Sequence, residues 1–289
     1  MPKILVTGGK GQLAKSLEAA SFDDKTIFLH EKENLNITDE AQINDALGSG
    51  KYDYVVNCAA YTAVDDAEDN AERAFAINSK AAGLLAKACA TNSIKLVHIS
   101  TDFVFNGESS VPYKETDETA PINVYGRSKL DGEKNILASC SDAVIIRTSW
   151  LYSQYENNFL NTMIRLGQER NELNVVNDQI GSPTYATDLA KAILKITHLP
   201  DHWSSGIYHY SNEGICSWFD FASAIMEMAK LQCKINPIPS SDYPTKAERP
   251  KFSVLDNSKI MRQFDLSIPN WKTSLEKCIK KKMNELAGV

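Results

Sequence analysis

Five short apolar runs punctuate the first half of the chain: Lys3–Thr7, Thr26–Leu29, Tyr54–Asn57, Lys95–Ile99 and Ala143–Arg147. Each is almost continuously hydrophobic, the pattern of a strand covered on both faces. The stretches between them repeat at helical spacing instead. Between Ala71 and Thr91, the residues Ala74, Ile77, Ala81, Leu84, Leu85 and Ala88 recur on one side of a helix. Strand and helix in alternation predict βαβ units, and so an α/β fold with a Rossmann-like, doubly wound parallel sheet.

Beyond residue 150 this rhythm loosens. Glycine, proline and aromatic residues thicken, as in Gly206–Tyr210, while helical spacing returns at Phe219–Leu231 and Leu275–Leu286. The change predicts an NAD(P)-binding domain over residues 1–150 and a smaller, C-terminal substrate-binding domain over 151–289. A segment near 175–200 is expected to return to the first domain. The Lys280–Lys282 run reads as cations complementing a helix C-terminus rather than as a binding tail.

Three stretches carry chemistry. Thr7-Gly8-Gly9-Lys10-Gly11-Gln12-Leu13-Ala14 follows the first strand directly and opens a helix predicted over Gln12–Ala20. Gly8 permits a tight turn, Gly11 lets the backbone approach a pyrophosphate, and small Ala14 lets helix and strand pack closely. The first amides of the helix would face the phosphates. A plain turn is the competing reading, and it is weakened by this position between the first strand and the first helix. The third run ends in Asn57-Cys58-Ala59-Ala60-Tyr61-Thr62, where paired alanines leave room for a flat ligand at the sheet edge. Ordinary tight packing explains those alanines too. The acidic run Asp65–Asp69 reads as a helix N-terminus, where carboxylates meet unpaired amides.

The third stretch, Tyr125-Gly-Arg-Ser-Lys129, sets a phenol and an amine one helical turn apart. A buried ammonium beside a phenol is expected to lower the tyrosine pKa toward the working pH, as a proton donor to a developing alkoxide requires. Thr101 stands at the end of the fourth run, placed to give the same oxygen a second hydrogen bond.

Composition narrows the class. The 289 residues are 43% hydrophobic and 24% charged, enough for a full core, and a net charge of −6 argues against nucleic acid as a partner. No apolar run is long enough for a membrane span or a signal peptide, so a soluble, cytoplasmic protein is expected. Six cysteines without a CxxC pair read as free thiols, and Pro200 breaks any shared face of His198 and His202, so no metal site is expected.

Together these residues resemble the extended short-chain dehydrogenases/reductases, and among them the dTDP-4-dehydrorhamnose reductases. The resemblance covers nearly the whole chain. It is carried by Gly11-Gln12-Leu13, Ala60–Asp65, Ser100–Phe105, Arg147–Trp150, Asp178–Thr184 and Arg249–Asp256, besides the glycine loop and Thr101, Tyr125 and Lys129. It implies reduction of the C4 keto group of a dTDP-6-deoxy-hexulose by NADPH, with NADH also admitted. Tyr125 would then protonate the carbonyl oxygen, Thr101 would polarise it, and Lys129 would hold the nicotinamide ribose. Gly8, Gly11, Gln12, Leu13, Ala59, Ala60 and Tyr61 would line the cofactor. Thr62, Val64, Phe103 and Trp150 fall where the family lines its sugar pocket. Trp150 also reads as a core aromatic, and Arg249 either reaches the diphosphate or pairs with an acid of the second domain.

The sequence departs from the family in three places. Ala14 replaces a frequent glycine. His30 stands where an acid would hold a ribose hydroxyl, so His30 or Lys32 is expected near a 2′-phosphate, with Glu31 opposing. Asn36 stands where an aspartate is common. Some members hold magnesium at a dimer interface through glutamates; Ser16 occupies one such position, so metal is not expected, and a homodimer stays open. Two other readings also stay open: another nucleotide-sugar reductase or epimerase, and a non-catalytic subunit resembling the β subunit of methionine adenosyltransferase. Dehydration is disfavoured, because Phe103 follows Asp102 where dehydratases carry a glutamate.

Overall fold

A computed structural model describes residues 1–21, 26–155 and 157–287. In its first half, β1 (Ile4–Thr7), α1 (Gln12–Ala20), β2 (Ile27–His30), α2 (Glu40–Gly48) and β3 (Tyr54–Asn57) follow one another. Next come α3 (Val64–Asp69) and α4 (Ala71–Phe75), a π-helical stretch Ala76–Ala81, and α5 (Ala82–Thr91). The half closes with β4 (Lys95–Thr101), α6 (Val124–Ser139) and β5 (Ala143–Thr148). The second half holds β6 (Leu151–Tyr152), α7 (Phe159–Glu169), β7 (Glu172–Val176), β8 (Ile180–Gly181), β9 (Thr184–Tyr185) and α8 (Ala186–His198). It continues through β10 (Gly206–His209), β11 (Cys216–Ser217), α9 (Trp218–Met228), β12 (Lys234–Ile238), α10 (Ser258–Phe264) and α11 (Trp271–Ala287).

Six strands form one sheet in the order β2-β1-β3-β4-β5-β10, with every neighbouring pair parallel. The predicted α/β, doubly wound architecture is present, and the apolar runs are its strands. Their side chains alternate between two cores. Ile4, Val6, Tyr54, Val56, Val97, Val144 and Ile146 pack under α1, α8 and α10. Leu5, Val55, Leu96, Ala143 and Ile145 pack under α2, α5 and α6. Period-2 alternation with both faces apolar is what covering a parallel sheet on both sides demands.

Gly206–His209, whose glycine, tyrosine and histidine give it the texture of the second half, is the sixth strand of this sheet, beside β5. Helix α8 crosses back to lie on α1, and both contribute to the same core. The segment Glu172–Val176 pairs instead with β12, away from the main sheet. A third core, built from α7, α9, α11 and their short strands, includes Tyr152, Phe221, Trp271 and Leu275.

The predicted helix Ala71–Thr91 is present but not uniform, being wound as a π-helix over Ala76–Ala81. Helix α6 crosses this stretch so closely that a Cβ on Gly132 would sit 2.1 Å from the Asn78 carbonyl oxygen. Only glycine fits there. The turns of α6 before this crossing carry Tyr125 and Lys129, which face the carboxyl ends of the strands.

Candidate active site

The carboxyl ends of β1, β3, β4 and β5 open on a cavity of about 970 Å³. The β1–α1 loop forms one wall. Gly8 takes a φ of +69°, and a Cβ there would meet the Ala59 backbone nitrogen at 2.9 Å, so the loop lies directly on the end of β3. Helix α1 starts at Gly11 with no side-chain cap, leaving its first-turn amides turned to the cavity, and the cavity lining includes Gly8, Gly11, Gln12 and Leu13. Gln12 also ties this wall to the following loop. Its Nε2 donates to the Leu151 carbonyl at 3.1 Å, and its Oε1 accepts from the Ser153 hydroxyl at 3.0 Å.

The opposite wall is the turn after β3. Ala59, Ala60, Tyr61 and Thr62 all line the cavity. The Asn78 side chain clamps this turn, accepting from the Tyr61 amide at 2.8 Å and donating to the Tyr61 carbonyl at 3.0 Å. The acidic run begins α3, with Asp65 and Asp66 in its first turn.

Thr101, Tyr125 and Lys129, drawn from β4 and α6, meet at the cavity floor. The Phe103 ring packs edge-on to the Tyr125 ring at 5.6 Å. Part of that ring faces the cleft while its hydroxyl is desolvated, which pushes the phenol up to about 12 against the opposing pull of a hydrogen bond with Thr101. The expected lowering of the Tyr125 pKa by Lys129 is therefore absent here. Lys129 is itself buried, which lowers its pKa to about 8, and its ammonium is aimed at the Ile99 carbonyl at 2.6 Å and His98 Nε2 at 3.2 Å. At neutral pH Tyr125 thus keeps its proton, the state a proton donor needs.

Asp102 is the residue that sequence reasoning undervalued. It is 3% exposed, its Oδ1 accepts from the Thr101 hydroxyl at 3.1 Å, and burial pushes its carboxyl up to about 7. One turn further along α6, Glu133 makes a two-pronged ion pair with Arg147 of β5, 2.7 Å at its shortest, with both side chains buried. Polar residues inside apolar strands, such as His98 and Ser100 in β4, were the available signal for this buried floor.

A second cavity of about 270 Å³ adjoins the first and shares Phe103, Trp150 and Trp218 with it. Trp150 takes a φ of +47° and stacks on Trp218, with centroids 3.6 Å apart and planes 9° apart. A left-handed conformation at a bulky residue costs about 1–2 kcal/mol and is held by its surroundings. Arg249 lines this smaller cavity. Its guanidinium forks onto Asp65, with contacts of 3.0 and 2.6 Å, and holds that carboxyl down to about 2. The acid it pairs with belongs to α3, in the first half of the chain, not to the second.

Two expected residues line neither cavity. The ring of His30 turns to Tyr52, 3.4 Å from its hydroxyl, and only its carbonyl meets the glycine loop, accepting from the Gly9 amide at 3.0 Å. Val64 starts α3, where the helix carries it off the wall. Lys32, just past the end of β2, does line the larger cavity, and so does Lys10, which pairs with Glu31 at 3.0 Å and Glu33 at 3.1 Å. Among the described residues no group of three or more His, Cys, Asp or Glu side chains gathers as metal ligands, and no helix is long and apolar enough to cross a membrane.

A parallel sheet with a glycine loop at its first strand and a tyrosine–lysine pair on a helix beside its carboxyl edge is the build of the Rossmann-like reductases. Comparison with known proteins narrows that class: the family described as RmlD substrate binding domain matches residues 2–284, and the chain belongs to it. The chain is 40% identical to the spore coat polysaccharide biosynthesis protein SpsK of Bacillus subtilis, over 98% of each chain. It is 39% identical to a dTDP-4-dehydrorhamnose reductase of Sinorhizobium fredii over 96% of each. Among solved structures, the dTDP-4-dehydrorhamnose reductase of Bacillus anthracis in complex with NADP superposes with a TM-score of 0.93 at 39% identity, covering 97% of this chain and 99% of that one.

Proposed function

We propose that this protein reduces the C4 keto group of dTDP-4-dehydrorhamnose (dTDP-4-dehydro-6-deoxy-L-mannose) with NADPH, giving dTDP-L-rhamnose for cell-surface polysaccharide synthesis. The observation that carries this reading is the meeting of Thr101, Tyr125 and Lys129 on one cavity floor, in a chain so like the reductases of that name over nearly its full length. The cavity suits a dinucleotide: it holds about 970 Å³, it is walled by an uncapped helix N-terminus, and half-buried Tyr125 is part of its lining.

Gly8, Gly11, Gln12, Leu13 and the Ala59–Tyr61 turn would hold the cofactor, with Lys129 at its ribose. When bound, the reduced nicotinamide supplies a hydride to the keto carbon. Negative charge then develops on the keto oxygen. Tyr125 gives that oxygen its phenolic proton, and Thr101 offers a hydrogen bond. Protonated Asp102 can donate to Thr101 and so free the threonine hydroxyl to point at the substrate. Thr62, Phe103 and Trp150 would shape the sugar site, and Arg249 would meet the diphosphate. We place the enzyme in the cytoplasm, working on a freely diffusing dTDP-sugar, with residues 1–150 and the returning α8–β10 segment serving the cofactor. A homodimer is compatible with this reading and is not required by it.

The test is direct. Supplied with the dTDP-4-keto-6-deoxy sugar and NADPH, the protein should oxidise the cofactor and yield dTDP-L-rhamnose. Turnover of a different nucleotide sugar, with none of this one, would overturn the substrate while leaving the reaction type.

A further inference from the structure

Behind Lys129 runs a chain of buried polar side chains that the reaction itself does not touch. Lys129 Nζ lies 3.2 Å from His98 Nε2, His98 Nδ1 lies 3.0 Å from Asn57 Nδ2, and Asn57 Oδ1 lies 2.6 Å from the Thr7 hydroxyl. The four residues come from β1, β3, β4 and α6, and none is more than 1% exposed. His98 does not line the cleft. It therefore meets neither cofactor nor sugar.

We propose that His98, backed by Asn57 and Thr7, is a positioning residue that keeps the Lys129 ammonium partnered inside the protein and so sets the pH at which Lys129 loses its charge. The inference rests on the reading of Lys129 as the cofactor-ribose ligand. An ammonium has three protons to place and no lone pair. Ile99 takes one through its carbonyl at 2.6 Å, and one is left for the cleft. The third needs an acceptor, and Nε2 of a neutral imidazole is the one in reach.

The network serves both charge states of Lys129. With Lys129 charged, Nε2 accepts, Nδ1 carries the ring proton and donates to the Asn57 amide oxygen, and the amide NH₂ turns to Thr7. With Lys129 neutral, the order reverses: the Thr7 hydroxyl donates to Asn57 Oδ1, Asn57 Nδ2 donates to Nδ1, and Nε2–H donates to the amine. Other charges also face this point. Burial opposes the ammonium most, Glu133 from α6 favours it, and Cys58 from the end of β3, whose own thiol burial keeps protonated, adds least. Arg147 from β5 neutralises Glu133, Asp102 bears on Tyr125, and burial, with Lys129 adding to it, keeps the imidazole of His98 uncharged. Without His98 the ammonium would lose a direct partner.

The test reads NADPH affinity as a function of pH, with no sugar present, in the wild type and in His98→Leu, His98→Gln and Asn57→Leu. In His98→Leu, the pH above which affinity falls should move down by about one to two units, the worth of one hydrogen bond to a charged group. Glutamine offers an amide oxygen in place of Nε2, so His98→Gln should stay within about half a unit of the wild type. Asn57→Leu, which leaves Nδ1 without its partner, should move the profile in the same direction by less than His98→Leu. At neutral pH, kcat/KM for reduction should fall about tenfold in His98→Leu and be restored by His98→Gln. A wild-type affinity profile in His98→Leu would overturn the proposal, and so would an equal shift in His98→Gln, which would reduce the histidine to packing. Should the leucine variant fail to fold, an unchanged profile in Asn57→Leu overturns it instead. If the wild type failed to reduce the dTDP-sugar, the substrate reading would fall while the affinity profiles still decided the role of His98.

Discussion

The floor and the rim of the cleft use the same side-chain chemistry to opposite ends. On the floor, Glu133 and Arg147 pair at 2.7 Å, each at most 2% exposed, beside Lys129 and Asp102, which are equally enclosed. On the rim, Lys10 reaches Glu31 and Glu33 over comparable distances, but all three side chains are exposed. A pair sealed from water holds one geometry, and removing either partner strands the other. A pair bathed in water is screened and readily exchanged. Proton transfer needs fixed distances, and the groups to which the proposed reaction assigns it lie on the floor. A rim cation can leave its carboxylates for a passing phosphate, so the rim can recognise what enters.

Variants can break this contrast, and the sharpest acts on the floor. Tyr125→Phe removes the phenolic hydroxyl and leaves the ring against Phe103, so kcat should fall roughly 10²–10⁴-fold while NADPH affinity holds. Activity near wild type would move proton donation elsewhere, with Asp102 next in line. Arg147→Met strands Glu133 and should cost about 3–5 kcal/mol in denaturant unfolding, whereas replacing both members by leucine should cost much less.

Asp102 offers a pH axis. Its raised pKa means that the folded state holds a proton, between the ordinary carboxylate range and about 7, which the unfolded chain has lost. The stability it contributes there is therefore lost as pH rises through about 7. Its ionised form also opposes charge on the keto oxygen. The kcat/KM for reduction should decline through that same range, and Asp102→Asn, fixed neutral, should abolish the decline. An unaltered profile in that variant would remove Asp102 from the mechanism.

At the edge between floor and rim, Arg249→Ala should raise KM for the dTDP-sugar by about 10–100-fold and leave NADPH affinity alone, if the guanidinium exchanges Asp65 for a diphosphate. An unchanged KM would confine Arg249 to its ion pair. The smallest effect belongs to the outer rim. Lys10→Ala should weaken NADPH severalfold and NADH hardly at all, and the difference should fade as salt is added. Equal loss of both cofactors would mean that Lys10 shapes the loop and does not read the 2′-phosphate.

The same contrast explains what the sequence made legible. The glycine loop, the tyrosine–lysine pair and five strands of the sheet each follow from local rules of period and turn chemistry. Strand β10 did not, because Gly206, Tyr208 and His209 disguise a segment that is buried by tertiary contact with β5. The π-helical turn at Ala76–Ala81 left no mark on the apolar spacing; it lies where α6 passes closely at Gly132, a contact far along the chain. His30 and Val64 have the right neighbours in sequence and the wrong direction in space. Conversely, Asn57, His98 and Glu133 interrupt buried elements, and polar residues at such positions are the mark of a network whose partners lie far along the chain.

The Trp150–Trp218 stack is a wall common to both cavities. Two indoles stacked 3.6 Å apart with nearly parallel planes couple their electronic transitions, so the pair is also an optical gauge built into the cleft. A dinucleotide pressing from one side and a nucleotide sugar from the other would each alter that coupling in its own way. Near-ultraviolet circular dichroism of the unlabelled protein should then report the order in which the two ligands arrive.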